Sequence, residues 1–130
     1  MSRLHLFELE DMPWLPASIR DGITDFLQFA VVKADLYRRI APRLAQAIKA
    51  SGHNRILDLC SGGGGAWPVL LDRIEPLVGT ELAVCLTDLY PNHAAFSALQ
   101  HQTSGRIGCY NAMVDAAAVP PQLHGFRTLF

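Results

Sequence analysis

The chain has 130 residues, half of them hydrophobic and 18% charged, the balance of one small globular domain with a sparsely charged surface. Its formal net charge is −1 and it carries no block of like charges, so an electrostatic grip on nucleic acid or on an anionic membrane is not indicated. The apolar runs fall far short of the roughly 18 to 20 residues that cross a bilayer, and the first ten residues lack a signal-peptide core, so the expected compartment is the cytoplasm.

In chain order, residues 5–16 mix Phe7 and Trp14 with two prolines and read as an extended lead-in. From Ala17 onward Ile19, Ile23, Phe26, Leu27, Ala30 and Val31 recur at spacings of three and four, which predicts an amphipathic helix. A second helix follows, with Leu36, Ile40, Leu44 and Ile48 spaced by four. Pro42 either kinks it or starts a new helix there, and Gly52 is a plausible stop.

After Gly52 the pattern becomes alternating strands and helices. Residues 55–59 form a short buried strand, and 66–74 a helix with Pro68 in its first turn. Residues 82–87 form a second strand, and Asn92 can cap a helix running to about Gln100. A third strand covers 106–110, and a fourth begins at 126–130. This order predicts an α/β fold with a parallel sheet, divided as 1–52, a lead-in with helices that cap the sheet, and 53–130, the sheet itself. Cys60, Cys85 and Cys109 are an odd number without a Cys-x-x-Cys pair or a His at ligand spacing, so neither a disulfide framework nor a metal site is expected. Cys85 and Cys109 read as small residues buried on strands.

The most informative segment runs from Arg55 to Trp67, Arg-Ile-Leu-Asp-Leu-Cys-Ser-Gly-Gly-Gly-Gly-Ala-Trp. A hydrophobic strand ends in an acidic residue, then four glycines, then a helix. Glycines at this junction permit unusual backbone angles and let a ligand approach the backbone beside a helix N-terminus. A phosphate loop needs Gly-Lys-Ser/Thr after the glycines, and Ala66-Trp67-Pro68 stands there instead. The dinucleotide fingerprint also fails, because its third glycine falls on Trp67 or Pro68 in either frame. A tight turn without a ligand is the plain alternative, and four successive glycines are a costly way to build one.

The segment resembles motif I of class I, Rossmann-like S-adenosylmethionine-dependent methyltransferases. Asp58 matches the acidic position, Gly62 and Gly64 match the second and third glycines, and Cys60 stands where the first glycine is usual. The resemblance spans about 54–130. It implies a cofactor cradle of Asp58, Cys60, Ser61, Gly62, Gly63 and Gly64. The second strand again ends in a carboxylate, Asp88, which can accept from both ribose hydroxyls; a helix cap or a solvated strand end is its other reading. The resemblance gives Asp88 and Leu89 to the ribose side. It gives Asp115 and Ala116 to the adenine, with Met113 and Val114 as an apolar face and Tyr90 along the adenosine. Asp115 can equally cap a turn before Pro120 and Pro121.

The resemblance further implies a seven-stranded sheet, so this chain is expected to hold an incomplete sheet of about four strands, a fragment of the fold. Its uncovered edge is expected to promote self-association. The implied function is methyl transfer from S-adenosylmethionine to an unknown acceptor. The alternatives are a non-catalytic or truncated S-adenosylmethionine-binding module and, below that, an NAD-dependent oxidoreductase. No catalytic residue can be named; His93, His101 and His124 read as surface or helix residues. Gly62→Val or Gly64→Val is expected to block the ligand while only partly lowering stability.

Overall fold

The computed structural model describes residues 14–33 and 37–129. The expected lead-in before Trp14, the apolar position Leu36 and the final residue Phe130 lie outside them. The elements are α1 (Ala17–Lys33), α2 (Tyr37–Ser51), β1 (Arg55–Asp58), α3 (Trp67–Val78), β2 (Ala83–Leu86), α4 (His93–Gln102), β3 (Ile107–Cys109), a single 3-10 turn (Pro121–Leu123) and β4 (Arg127–Leu129).

The four strands form one parallel sheet in the order β3-β2-β1-β4. The fold is therefore the expected Rossmann-like α/β sheet of four strands preceded by helices. Register pairs Ile56 with Val84 and Arg127, and Val84 with Ile107. Consecutive strands step outward from β1 to β3, and β4 then returns to the other side of β1. That reversal is a topological switch point, where open α/β sheets leave a crevice at the carboxyl ends of their strands. The loop leaving β1 is the glycine-rich one.

Alternation along the strands divides the core in two. On one face Ile56, Val84, Leu86 and Ile107 pack under Ala41, Ala45 and Ile48 of α2, Trp67, Leu70, Leu71 and Ile74 of α3, and Phe96 and Leu99 of α4. On the other face Leu57 and Leu59 meet Val114 and Leu123 from the segment that leads to β4. The α-helices of the described core thus lie on one face, and the segment leading to β4, with its single 3-10 turn, covers the other.

Local chemistry explains the helix limits. Pro68 sits in the first turn of α3, where its missing N–H leaves no bond unmade. The helix ends at Gly79, left-handed at φ 82°, whose amide donates to the Glu75 carbonyl. The Glu75 carboxylate then accepts from the Leu82 amide and pairs with Arg106 at 2.8 Å, tying the end of α3 to the entries of β2 and β3. Asn92 caps α4 by accepting from the Ala95 amide at 3.0 Å. In α2 the helix runs through Pro42 rather than restarting there. The burial of Ala41, Ala45 and Ile48 outweighs the one backbone bond that proline removes.

The helix expected from Ala17 onward forms as α1. Among its described side chains Ile19, Phe26 and Ala30 are exposed and Ile23 is half-buried. Cys85 and Cys109 lie on strands as expected, though half-buried rather than fully buried.

Candidate functional site

Three chain segments meet at the carboxyl end of the sheet: the glycine loop after β1, residues 87–90 after β2, and residues 110–115 after β3. They are stitched by the backbone. The Ser61 amide donates to the Thr87 carbonyl at 2.9 Å, the Tyr110 amide to the Leu86 carbonyl at 2.9 Å, and the Val114 amide to the Asp88 carbonyl at 2.9 Å. The Asp58 carbonyl accepts from the Thr87 amide, the Thr87 hydroxyl and the Ser61 hydroxyl, all at 2.8–3.0 Å. Thr87 is fully buried, so these bonds satisfy a hydroxyl that would otherwise be costly to desolvate.

The loop between β1 and α3 turns through left-handed angles at Cys60 (φ 58°), Gly62 (φ 55°) and Gly64 (φ 67°). Cys60 carries an angle that favours glycine. Gly64 is buried, and a Cβ there would lie 2.5 Å from Leu86 Cδ1 and 3.1 Å from Leu99 Cδ1. Its missing side chain therefore makes room for the core beneath the loop. This corrects the expectation that Gly64→Val would act mainly by filling ligand space.

Asp88 faces the glycine loop directly. Its Oδ2 accepts from the Gly62 amide at 2.7 Å and its Oδ1 from the Tyr90 amide at 2.9 Å. Asp58, at the end of β1, is mostly buried and its Oδ2 accepts from the Trp67 indole N–H at 2.8 Å. Burial pushes the Asp58 carboxyl above the ordinary carboxylate range and the nearby Asp88 charge adds to that, against the Trp67 and Ser61 hydrogen bonds. Tyr37, the first residue of α2, packs against the same core. Its hydroxyl is pushed up by burial and by the Asp58 charge. Two carboxylates thus stand at this end of the sheet, Asp58 bonded to the buried Trp67 indole and Asp88 to the Gly62 and Tyr90 amides.

The remaining expected residues divide. Leu89 is half-buried beside Asp88. Asp115 is exposed, and its Oδ1 accepts from the Ala117 amide at 2.8 Å, the turn cap that was its alternative reading. Ala116 is exposed in that turn. Met113 is open to solvent, but Val114 is buried with Leu57 and Leu59, so it offers no face to a ring. His93, His101 and His124 are exposed. Reading the sequence missed Tyr37, Trp67 and Thr87. Only Trp67 gave a signal, since a buried indole N–H needs a partner and the preceding strand ends in a carboxylate.

Among the described residues no cluster of three His, Cys, Asp or Glu is placed to hold a metal ion, and no helix is long and apolar enough to cross a membrane. Comparison with protein-family models, with curated proteins and with solved structures gives no match to this chain.

Proposed function

We propose that this crevice binds S-adenosylmethionine and that the chain is the cofactor-binding portion of a methyltransferase acting on an unknown acceptor. The observation that carries the reading is the 2.7 Å bond between Asp88 and the Gly62 amide. It joins the two features that the motif resemblance assigns to one adenosine. Each carboxylate oxygen of Asp88 accepts one backbone N–H and keeps a further acceptor position, so two ribose hydroxyls fit on it.

Charge separates this reading from a dinucleotide. A pyrophosphate seeks free N–H groups at a glycine loop. Here the Gly62 N–H is taken by a carboxylate, and a second carboxylate, Asp58, lies below. Two negative groups favour a cationic sulfonium nucleoside and disfavour phosphates. Bound there, the cofactor would supply an electrophilic methyl group. The chain's part is to hold the adenosine so that an acceptor can attack in line, where positioning provides most of the acceleration.

Calorimetric titration with S-adenosylmethionine, S-adenosylhomocysteine and NAD tests the reading. We expect binding of the first two, and Asp88→Ala should weaken it at least about tenfold, since hydrogen bonds to a charged acceptor contribute about 1.5–3 kcal/mol each. Asp88→Asn should fall between, and Asp115→Ala should cost less. Preference for NAD, or unchanged affinity in a folded Asp88→Ala protein, would refute it. Transfer of labelled methyl groups to a cell extract separates an active enzyme from a binding module.

A further inference from the structure

Trp67 is bonded to both ends of the glycine loop. Its amide donates to the Gly64 carbonyl at 3.2 Å and its indole N–H to Asp58 Oδ2 at 2.8 Å. The ring is 4% exposed and belongs to the core cluster that α2, α3 and α4 build over the sheet. A close-packed ring has few rotamers open to it, so the core aims the N–H. Four groups act on the Asp58 carboxylate: Tyr37 from α2, Ser61 from the loop, Trp67 from α3 and Asp88 from the segment after β2. Among the described residues none of the four is a cation. Burial and the Asp88 charge oppose ionisation of Asp58, and hydrogen bonds favour it. The Ser61 hydroxyl donates to the Asp58 main-chain carbonyl at 3.0 Å. A hydroxyl has one hydrogen, so the Trp67 indole is the side-chain donor that the Asp58 carboxylate keeps.

We propose that Trp67 is a positioning residue: it holds Asp58 fixed and ionised beside the glycine loop, as the countercharge to the cationic end of S-adenosylmethionine. The inference rests on the S-adenosylmethionine reading of this crevice. In that reading the sulfonium is the cation that the groups around Asp58 lack. Trp67 supplies the donor that keeps the carboxylate charged until the sulfonium arrives. S-adenosylhomocysteine lacks that positive charge, so an ionised Asp58 discriminates the cofactor from its demethylated product.

The test reads Trp67 itself and then binding. The chain has two tryptophans and Trp14 is exposed, so Trp14→Phe leaves Trp67 as the single indole. Its emission should change in one step with pH, with a midpoint above the ordinary carboxylate value of 3.8. Asp58→Asn in that background should remove the step. S-adenosylmethionine should lower the midpoint, because a nearby cation favours the anion, and S-adenosylhomocysteine should lower it less. Calorimetry gives the second readout. In the parent, S-adenosylmethionine affinity should fall as pH drops through the Asp58 titration. In Trp67→Phe that fall should begin about one pH unit higher, the tenfold change in proton affinity that a hydrogen bond to a charged acceptor supplies. Asp58→Asn should flatten the profile, and the double variant should match it. Emission without the step, or a step that persists in Asp58→Asn, overturns the proposal whatever the ligand. Coupled emission in a protein that binds no S-adenosylmethionine overturns the function and, with it, the role of Asp58. Binding with an unchanged pH profile in a folded Trp67→Phe protein overturns the role of Trp67 alone. The emission titration keeps Trp67 in place, so it decides the matter even for a Trp67→Phe protein that does not fold.

Discussion

Single residues in the glycine loop have opposite tasks. Cys60 holds a left-handed angle that costs a non-glycine residue about 1–2 kcal/mol, and Gly64 holds one where a side chain would strike Leu86. Cys60→Gly removes strain but adds unfolded-state entropy worth about 0.4–1 kcal/mol. It should leave stability unchanged or raise it by up to about 1.6 kcal/mol. Gly64→Ala should lower stability by about 2–4 kcal/mol, from the backbone angle and the overpacking together. Urea denaturation of the two variants checks both, and a Gly64→Ala protein as stable as the parent would show that Leu86 yields freely. Asp58 makes a pH prediction at the same scale. Its folded pKa is raised above the ordinary 3.8, so the folded state binds this proton more tightly than the unfolded chain. Its contribution is fully present below that ordinary value and is lost as pH rises through the folded pKa. Asp58→Asn cannot ionise and its amide oxygen can still accept from Trp67. Relative to the parent, it should therefore gain stability as pH rises from about 4 toward neutrality. A constant difference between the two proteins across that range would contradict the assignment.

Among the elements, α4 and α1 show how differently two helices are secured. The α4 helix has a side-chain cap at Asn92 and two buried anchors, Phe96 and Leu99. Asn92→Ala should lower stability by about 1 kcal/mol through the lost cap, measured as a shift of the denaturation midpoint without a change in slope. An unchanged midpoint would mean that Phe96 and Leu99 alone fix the helix start. The α1 helix has the periodicity of a packed helix, and among its described side chains Ile19, Phe26 and Phe29 are exposed.

At the scale of the whole molecule, the sheet is asymmetric. Parallel sheets are stable when both faces are covered. Here α2, α3 and α4 cover one face, while the other carries a smaller cluster built by Leu57, Leu59, Val114 and Leu123. Among the described residues β3 and β4 are edge strands, and open edges and thin cover favour pairing with another chain. The 130-residue protein should self-associate, with an average mass by sedimentation that rises with concentration. A compact monomer at every concentration, with one cooperative unfolding transition, would contradict this.

The sequence by itself determined the local elements and their types. The alternation of strands and helices after Gly52, the cap at Asn92, Pro68 at a helix start and the glycine turn after Asp58 all depend on neighbours within a few residues, where backbone sterics and side-chain period act. It also identified Asp88 as a carboxylate at a strand end. Only the tertiary structure decided that Asp88 meets Gly62, 26 positions away, because that contact depends on the register of β1 against β2. The same holds for Trp67 and Tyr37 beside Asp58, for Gly64 seated against Leu86, and for Asp115 turned to its own backbone. Each rests on which surfaces the sheet brings together, and a periodicity read along one strand or helix carries no record of its partner.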